Sequence, residues 1–383
     1  MAYKKSNVTT WEYKTPRNQL PLVVDDFSLA MHLGIRCKTL WFLIHGSREP
    51  ASSPKSLYQE GSLLKRGAAG KAGKRRIIHI PDPRLKRVQK MMDSVFVQPI
   101  PVGEHACAYE KGRVPVDTAR LCGGNGILLS LDLKDFFGKV RYSWVRDLFT
   151  SQGYSRYVAG LMAHLACCTT SHTQSNSDGT TKTITRRFMP QGTPVSPTIA
   201  NRVADMRFDQ KVLKMAKEGG WSYYRYSDNI YLVHPEVLPR ESVDEFKNKV
   251  IKTVHRAGWG THKVRVTPQW KRQEVLGLVV NEKANLRSEE YRSLRALIHN
   301  CATYGFPSQV EKARKLVNLK IETPESLIAH LRGKLSYVGQ VLCDSRRNKL
   351  FEEFEAAMES ERLRIKESWA EEDQGYVVKN ESA

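Results

Sequence analysis

Two aspartates stand where a carboxylate can hold a divalent cation. Asp132 closes the run Leu128-Leu129-Ser130-Leu131-Asp132-Leu133, and Asp228 lies in Tyr226-Ser227-Asp228-Asn229, between Tyr223-Tyr224 and Ile230-Tyr231-Leu232-Val233. The flanks are rich in β-formers, so the first segment reads as a buried strand ending on a carboxylate. The second reads as a hairpin with a carboxylate at its tip. Hard cations such as Mg2+ take oxygen ligands and keep waters and substrate phosphates beside one or two carboxylates. Two such ions about 3.5–4 Å apart activate an attacking 3′-hydroxyl and stabilise a leaving pyrophosphate. Taken singly, Asp132 reads better as the cap of a following helix, since single aspartates after strands are common. The pair is what suggests phosphoryl transfer.

A second segment bears on the same chemistry. In Met189-Pro190-Gln191-Gly192-Thr193-Pro194-Val195-Ser196-Pro197-Thr198-Ile199-Ala200-Asn201 the glycine and prolines set an extended turn, and Ser196-Pro197 starts a helix. Such a turn lays backbone and Gln191 against a nucleotide, or is simply a loop and cap. His164, Cys167, Cys168 and His172 tempt a zinc reading, but no CxxC supports it.

The elements that must position these residues follow from periodicity. Leu29 to Ile44, interrupted at Gly34, predicts two short helices. A basic, glycine-containing stretch from Leu64 to Arg76 leads into Ile77-Ile78-His79-Ile80-Pro81, a hairpin with a cationic tip. Arg84 to Phe96 has helical spacing, with Lys86, Arg87 and Lys90 between its apolar positions. Helices are expected over 142–149, 156–167, 197–217 and 243–257. An exposed hairpin is expected over 171–187, and strands at 264–267 and 275–280. Beyond Ala284 strand signals cease, and Tyr291, Leu294, Leu297, Ile298 and Cys301 repeat at helical spacing.

The chain has 383 residues and a formal net charge of +21, enough length for two or three lobes and an excess that calls for a polyanion. No apolar run approaches ~18 residues and the opening Met1-Ala2-Tyr3-Lys4-Lys5 begins no signal-peptide core, so nucleic acid is expected as partner rather than a membrane. The seven cysteines are odd in number and scattered, which fits free thiols in a reducing cytoplasm.

Leu131-Asp132-Leu133-Lys134-Asp135-Phe136-Phe137, then the Gln191 segment, then Tyr226-Ser227-Asp228-Asn229, in this order and spacing, resembles the palm of reverse transcriptases. Gly73-Lys74-Arg75-Arg76-Ile77-Ile78-His79-Ile80-Pro81 looks like the fingers hairpin of the bacterial enzymes, and Leu331-Arg332-Gly333-Lys334-Leu335-Ser336-Tyr337-Val338 is similar to part of their thumb. The resemblance covers roughly residues 25–345 and is nearest to the retron type. It implies an α/β plus all-α fold, a right-hand polymerase whose fingers and palm combine an antiparallel sheet with helices and whose thumb is helical. The expected boundaries are 1–120 for N-terminal helices and fingers, 121–283 for a palm with an interleaved fingers segment, 284–366 for the thumb, and 367–383 for a disordered acidic tail.

By the same resemblance the catalytic group is Asp132, Asp228 and Asn229, with Asp132 and Asp228 holding two Mg2+ ions, Mn2+ being an alternative. Asp135 and Phe136 fall where backbone amides meet the triphosphate. Phe137 matches the bulky residue that excludes a 2′-hydroxyl, and Gln191 the glutamine beside the nucleotide. Lys74 and Arg76 match the phosphate clamp, and Lys263 a lysine near the pyrophosphate. Gly277 falls at the primer-facing hairpin, while Lys86, Arg87, Arg292 and Arg295 are expected on nucleic-acid phosphates. The implied activity is RNA-directed DNA synthesis from dNTPs on an RNA template and a DNA or RNA primer. A bound non-coding RNA, an effector or second polymerase subunit and a part in antiphage defence are implied alongside. Family members usually carry a second aspartate where Asn229 stands. Asn-Ala-x-x-His and Val-Thr-Gly of the retron type are Thr118-Ala119-Arg120-Leu121-Cys122 and Val275-Leu276-Gly277 here, departures that weigh against a retron-style RNA partner and its branched priming and that fit a more divergent, defence-associated reverse transcriptase. A template-independent or self-priming DNA synthesiser and a silent RNA-binding subunit are the rival readings.

Overall fold

The computed structural model describes residues 16–64, 75–175, 180–317, 321–342 and 344–380. Lys74, the tip of the basic hairpin and Asp178-Gly179 lie outside these residues. In chain order come α1 (Asp26–His32), α2 (Cys37–Arg48), β1 (Tyr58–Leu64), β2 (Arg75–Pro81), α3 (Pro83–Met92), α4 (Pro115–Leu121) and β3 (Ile127–Lys134). There follow α5 (Tyr142–Ser151), α6 (Arg156–Ala166), β4 (Cys168–Ser175), β5 (Thr181–Phe188), α7 (Ser196–Ala204) and α8 (Gln210–Glu218). Next are β6 (Ser222–Tyr226), β7 (Asn229–His234), α9 (Arg240–Arg256), β8 (Gly260–Pro268), β9 (Glu274–Val275) and β10 (Leu278–Val279). The chain finishes with α10 (Ser288–Tyr304), α11 (Phe306–Val317), α12 (Pro324–Val341) and α13 (Ser345–Asn380). π-helical turns at Asp93–Val97 and Asp205–Asp209 extend α3 and join α7 to α8.

Two compact units emerge, one from the residues up to 115 with 126–268, the other from 116–125 with the residues from 269 on. The first unit is built on an antiparallel sheet of order β6-β7-β3-β8. Side chains alternate across a strand, and here the alternation sorts chemistry. Ile127, Leu129, Leu131 and Leu133 of β3, with Ile230 and Leu232 of β7, enter the hydrophobic core on one face. Ser130, Asp132, Asn229 and Tyr231 belong to the other face.

The helices before the sheet have readable ends. Gly34, at φ 66°, takes the left-handed turn between α1 and α2 that a residue with a Cβ rarely adopts. Asp82 caps α3, accepting from the Arg84 amide at 2.9 Å, with Pro83 at the first helical position. No single helix among the described residues is long and apolar enough to cross a membrane.

In the second unit, Leu294, Leu297, Ile298 and Cys301 of α10 are buried as their spacing predicts. The single strand expected over 275–280 is instead the two-residue hairpin of β9 and β10. Leu276 and Gly277, at φ 50° and 87°, form its turn. A continuous apolar run hid that turn, since nothing polar interrupts it. Besides residues 116–125, the second unit takes in the chain from 269 on, whereas the thumb is expected from 284. Residues 367–380, expected as a disordered tail, continue α13 as helix.

Candidate active site

Strand pairing assembles the carboxylates. Asp132 lies opposite Asn229 of β7 on one side and opposite Lys263 of β8 on the other, so the three share one row and one face of the sheet. Asp228 occupies the two-residue turn before Asn229, and its carbonyl accepts from the Leu133 amide at 2.8 Å. Ser227 in that turn has φ 57°, a left-handed conformation costly for a residue with a side chain. The strain is held by the Tyr109 hydroxyl, 2.6 Å from Ser227 Oγ. Burial is the main reason that the Tyr109 phenol is raised above its ordinary value.

The carboxylate of Asp132 is half-buried and has no hydrogen-bond or ion-pair partner among the described residues. The Asn229 amide donates to Asp228 Oδ1 at 3.1 Å. An aspartate at 229 would place a second negative charge against that oxygen; the asparagine orients it instead.

The loop after β3 is folded tightly. Asp135 has φ 52°, and its carboxylate covers Gly138, where a Cβ would lie 2.5 Å from either oxygen. Phe136 points into the core, its ring 6.0 Å from that of Trp259, whose Nε1 donates to the Phe136 carbonyl at 3.0 Å. Phe137 stays half-buried between the rings of Phe136 (5.4 Å) and Tyr109 (6.3 Å).

The Gln191 loop is tied to β2. The Gln191 carbonyl accepts from the His79 amide at 2.8 Å. Gly192, at φ 108°, passes so close to the His79 carbonyl that a Cβ would lie 3.0 Å from it. This joins Gln191 to the strand that carries exposed Arg76. At the far end of the motif, buried Asn201 donates to the Ala108 carbonyl (2.8 Å) and Glu110 Oε1 (2.9 Å), fixing the segment that presents Tyr109.

A second carboxylate cluster packs against the β6–β7 hairpin and carries no sequence motif. His105, Asp205 and Asp209 bring ligand-type atoms within 4.8 Å of one another. Their oxygens, however, are already used. Asp209 accepts from Arg225 Nε (2.9 Å) and Nη2 (2.5 Å) and from the Tyr223 hydroxyl (2.5 Å), and Asp205 lies 2.7 Å from His105 Nε2. Burial disfavours the Arg225 guanidinium charge, and Asp209 more than reverses this, so Arg225 is held above its usual range. This hydrogen-bonded network braces the hairpin, since Arg225 Nη1 also donates to the Ser227 carbonyl at 3.2 Å. The signal for it was an arginine at a core-facing position of β6, which requires a partner.

The remaining expected residues are dispersed. Lys86 and Arg87 are exposed on α3, beside a cavity of about 660 Å3 that they line with Gln59, Asp82 and Lys90. Gly277 sits in the β9–β10 turn with open space around it. Of the two arginines expected on a duplex, exposed Arg295 is engaged by Glu353 at 3.0 Å, whereas Arg292 has no partner among the described residues.

A family model described as reverse transcriptase (RNA-dependent DNA polymerase) matches residues 63–275. The chain is 30% identical over 333 residues to the retron Mx65 reverse transcriptase of Myxococcus xanthus, spanning 85% of this chain and 70% of that one. It is 29% identical over 296 residues to the retron Mx162 reverse transcriptase of the same organism, spanning 71% and 58%. With the retron Ec86 reverse transcriptase of Escherichia coli it shares 25% over 245 residues, or 62% and 69%.

Proposed function

The chain belongs to the reverse transcriptase family of RNA-directed DNA polymerases, and from that premise we propose that Asp132 and Asp228 are its catalytic metal ligands. One observation carries the assignment: strand register sets Asp132 beside the Asp228 turn on the face of the sheet away from the core, with no cation paired to the Asp132 carboxylate among the described residues. Oxygen donors of this kind suit Mg2+, with Mn2+ the alternative. Such ions, when bound, would neutralise triphosphate charge and make the primer 3′-hydroxyl a better nucleophile.

The protein's own groups do the positioning. Lys263, in the same row as Asp132, is placed to meet the leaving pyrophosphate. Arg76, with Lys74, clamps phosphates next to the Gln191 loop, and the tight turn at Asp135-Phe136 offers backbone amides. Phe137 fills the space that a 2′-hydroxyl would need. Asn229 holds Asp228 in place. Alignment and electrostatics of this sort supply most of what phosphoryl transfer asks of a protein. Lys86, Arg87, Gly277 and Arg292 are assigned to template and primer. The retron relatives support a bound non-coding RNA; a role in defence is a further step along that line.

Incorporation of dNTPs on a primed RNA template by the purified protein is the direct test. Asp132→Ala and Asp228→Ala should each abolish it with unchanged thermal melting. Near-normal synthesis by either variant overturns the site. A wild type silent in Mg2+ and Mn2+ that Asn229→Asp awakens would instead support a silent RNA-binding subunit, and sequencing the product separates templated from untemplated synthesis.

A further inference from the structure

Arg186 and Arg187 are neighbours on β5 and therefore leave opposite faces of the β4–β5 hairpin. Arg186 Nη2 donates to the Gly138 carbonyl at 2.5 Å, so its face is that of the catalytic loop. Arg187 turns the other way. Its Nε donates to Thr169 Oγ1 at 3.2 Å, its guanidinium lies 5.3 Å from the Tyr142 ring centre, and its Nη groups have no hydrogen-bond partner among the described residues.

The end of α2 comes to the same place. Thr169 is the cross-strand partner of Arg187, and it also contacts both sides of Arg48: its hydroxyl donates to the Ser47 carbonyl at 3.3 Å and its carbonyl accepts from the Ala51 amide at 2.9 Å. Arg48 is close enough to disfavour the charge on Arg187, second only to burial. Exposed His45 adds a basic group one turn earlier on α2. No carboxylate answers this charge among the described residues. Glu49 accepts from Ser53 Oγ at 3.2 Å and makes no ion pair with either arginine, and Arg146 is matched by Asp147. The C-terminal dipole of α2 offsets roughly half an elementary charge, and the Tyr142 ring accounts for Arg187 but not for Arg48. Arg48 and Arg187, brought to one place through Thr169 and with no acid paired to either among the described residues, can serve as a fork for a tetrahedral oxyanion.

We propose that Arg48 and Arg187 form a phosphate-binding site, on the hairpin face turned away from the catalytic loop, that takes a backbone phosphate of bound RNA. Tyr142 supports it from beneath. Its hydroxyl donates to the Gly160 carbonyl at 3.2 Å and lies 3.3 Å from His164 Nε2, and burial takes His164 down to about 3, so that ring stays neutral and adds no competing charge.

The test is a salt titration of single-stranded RNA binding by the full-length protein and by the double variant Arg48→Gln/Arg187→Gln. Each lost phosphate contact on a single strand removes about 0.7 from the slope of log affinity against log salt. The double variant should show that reduction, Arg48→Lys/Arg187→Lys should restore most of it, and without RNA the glutamine variant should melt at or above the wild-type temperature because repulsion is relieved. A slope unchanged by the glutamines, with no difference in stabilisation by inorganic phosphate, overturns the site. Stabilisation by inorganic phosphate in the wild type only, at unchanged RNA slope, keeps a phosphate site but reassigns it to free phosphate or nucleotide. A glutamine variant that melts well below wild type shows that the pair is structural and overturns the proposal. Binding is read without any nucleotide incorporation, so the result is independent of the polymerase assignment.

Discussion

Asp209 is fully buried, with Arg225 on both of its oxygens, Tyr223 on one and His105 3.8 Å away, while Asp132, in the same unit, is half-buried and has no such partner among the described residues. The first cluster looks more like a metal centre by count of ligand atoms, yet its negative charge is already spent on an arginine of the same sheet. The second has fewer groups and a charge that the fold leaves open. Removing one partner from a buried pair leaves an uncompensated charge and costs about 3–5 kcal/mol. Removing an open carboxylate costs little stability and takes away a ligand. Asn229 sharpens the contrast, because it adds a hydrogen bond to Asp228 without adding charge.

The widest separation should come from the isosteric pair Asp132→Asn and Asp209→Asn. The first should lower dNTP incorporation by roughly a thousandfold or more at an unchanged melting temperature, an effect of about 4 kcal/mol on the barrier. The second should lose about 3–5 kcal/mol of unfolding free energy in denaturant titrations, yet keep substantial activity at low temperature in the fraction that stays folded. If Asp209→Asn abolished synthesis without destabilising the protein, the two clusters would have to exchange roles.

A smaller change is expected at Phe137, which tests whether substrate arrives on the open face. Phe137→Ala should raise incorporation of rNTPs relative to dNTPs, by about tenfold or more if the ring is worth the one to three kcal/mol usual for a steric pocket difference. Competition assays measure the ratio directly. Equal use of both nucleotides by the wild type would remove the gate from the site.

The smallest effect belongs to Asn229→Asp. Near Asp228 the added charge should lower metal-free stability by on the order of 1 kcal/mol, while synthesis persists and half-saturates at equal or lower Mg2+. Melting curves with and without Mg2+ separate the two contributions. An active wild type that this substitution inactivates would mean that the amide acts on something other than Asp228.

Much of the frame was legible in the residues because the determinants are local. The β-forming runs in Leu128–Leu133 and Tyr223–Val233 predict strands, and the tight polar pair in Tyr226-Ser227-Asp228-Asn229 predicts the hairpin that joins the second pair. The spacing of Leu294, Leu297, Ile298 and Cys301 predicts α10. The resemblance in motif order implies one site for Asp132, Gln191 and Asp228. The apolar run 275–280 misled for the converse reason: the turn at Leu276-Gly277 is set by two positive φ angles that composition does not announce.

What tertiary structure alone decided is the state of each charge. His105, Asp209 and Arg225 come from three separate segments, Arg295 and Glu353 from two, and Arg48 and Arg187 likewise from two, and no local pattern pairs them. An ionised side chain behaves as ligand, brace or anion fork according to the counter-charges within a few ångströms, and those are delivered by distant parts of the chain when the sheet and helices pack. The sequence by itself determined which residues could do the chemistry; folding decided which of them were left free to do it.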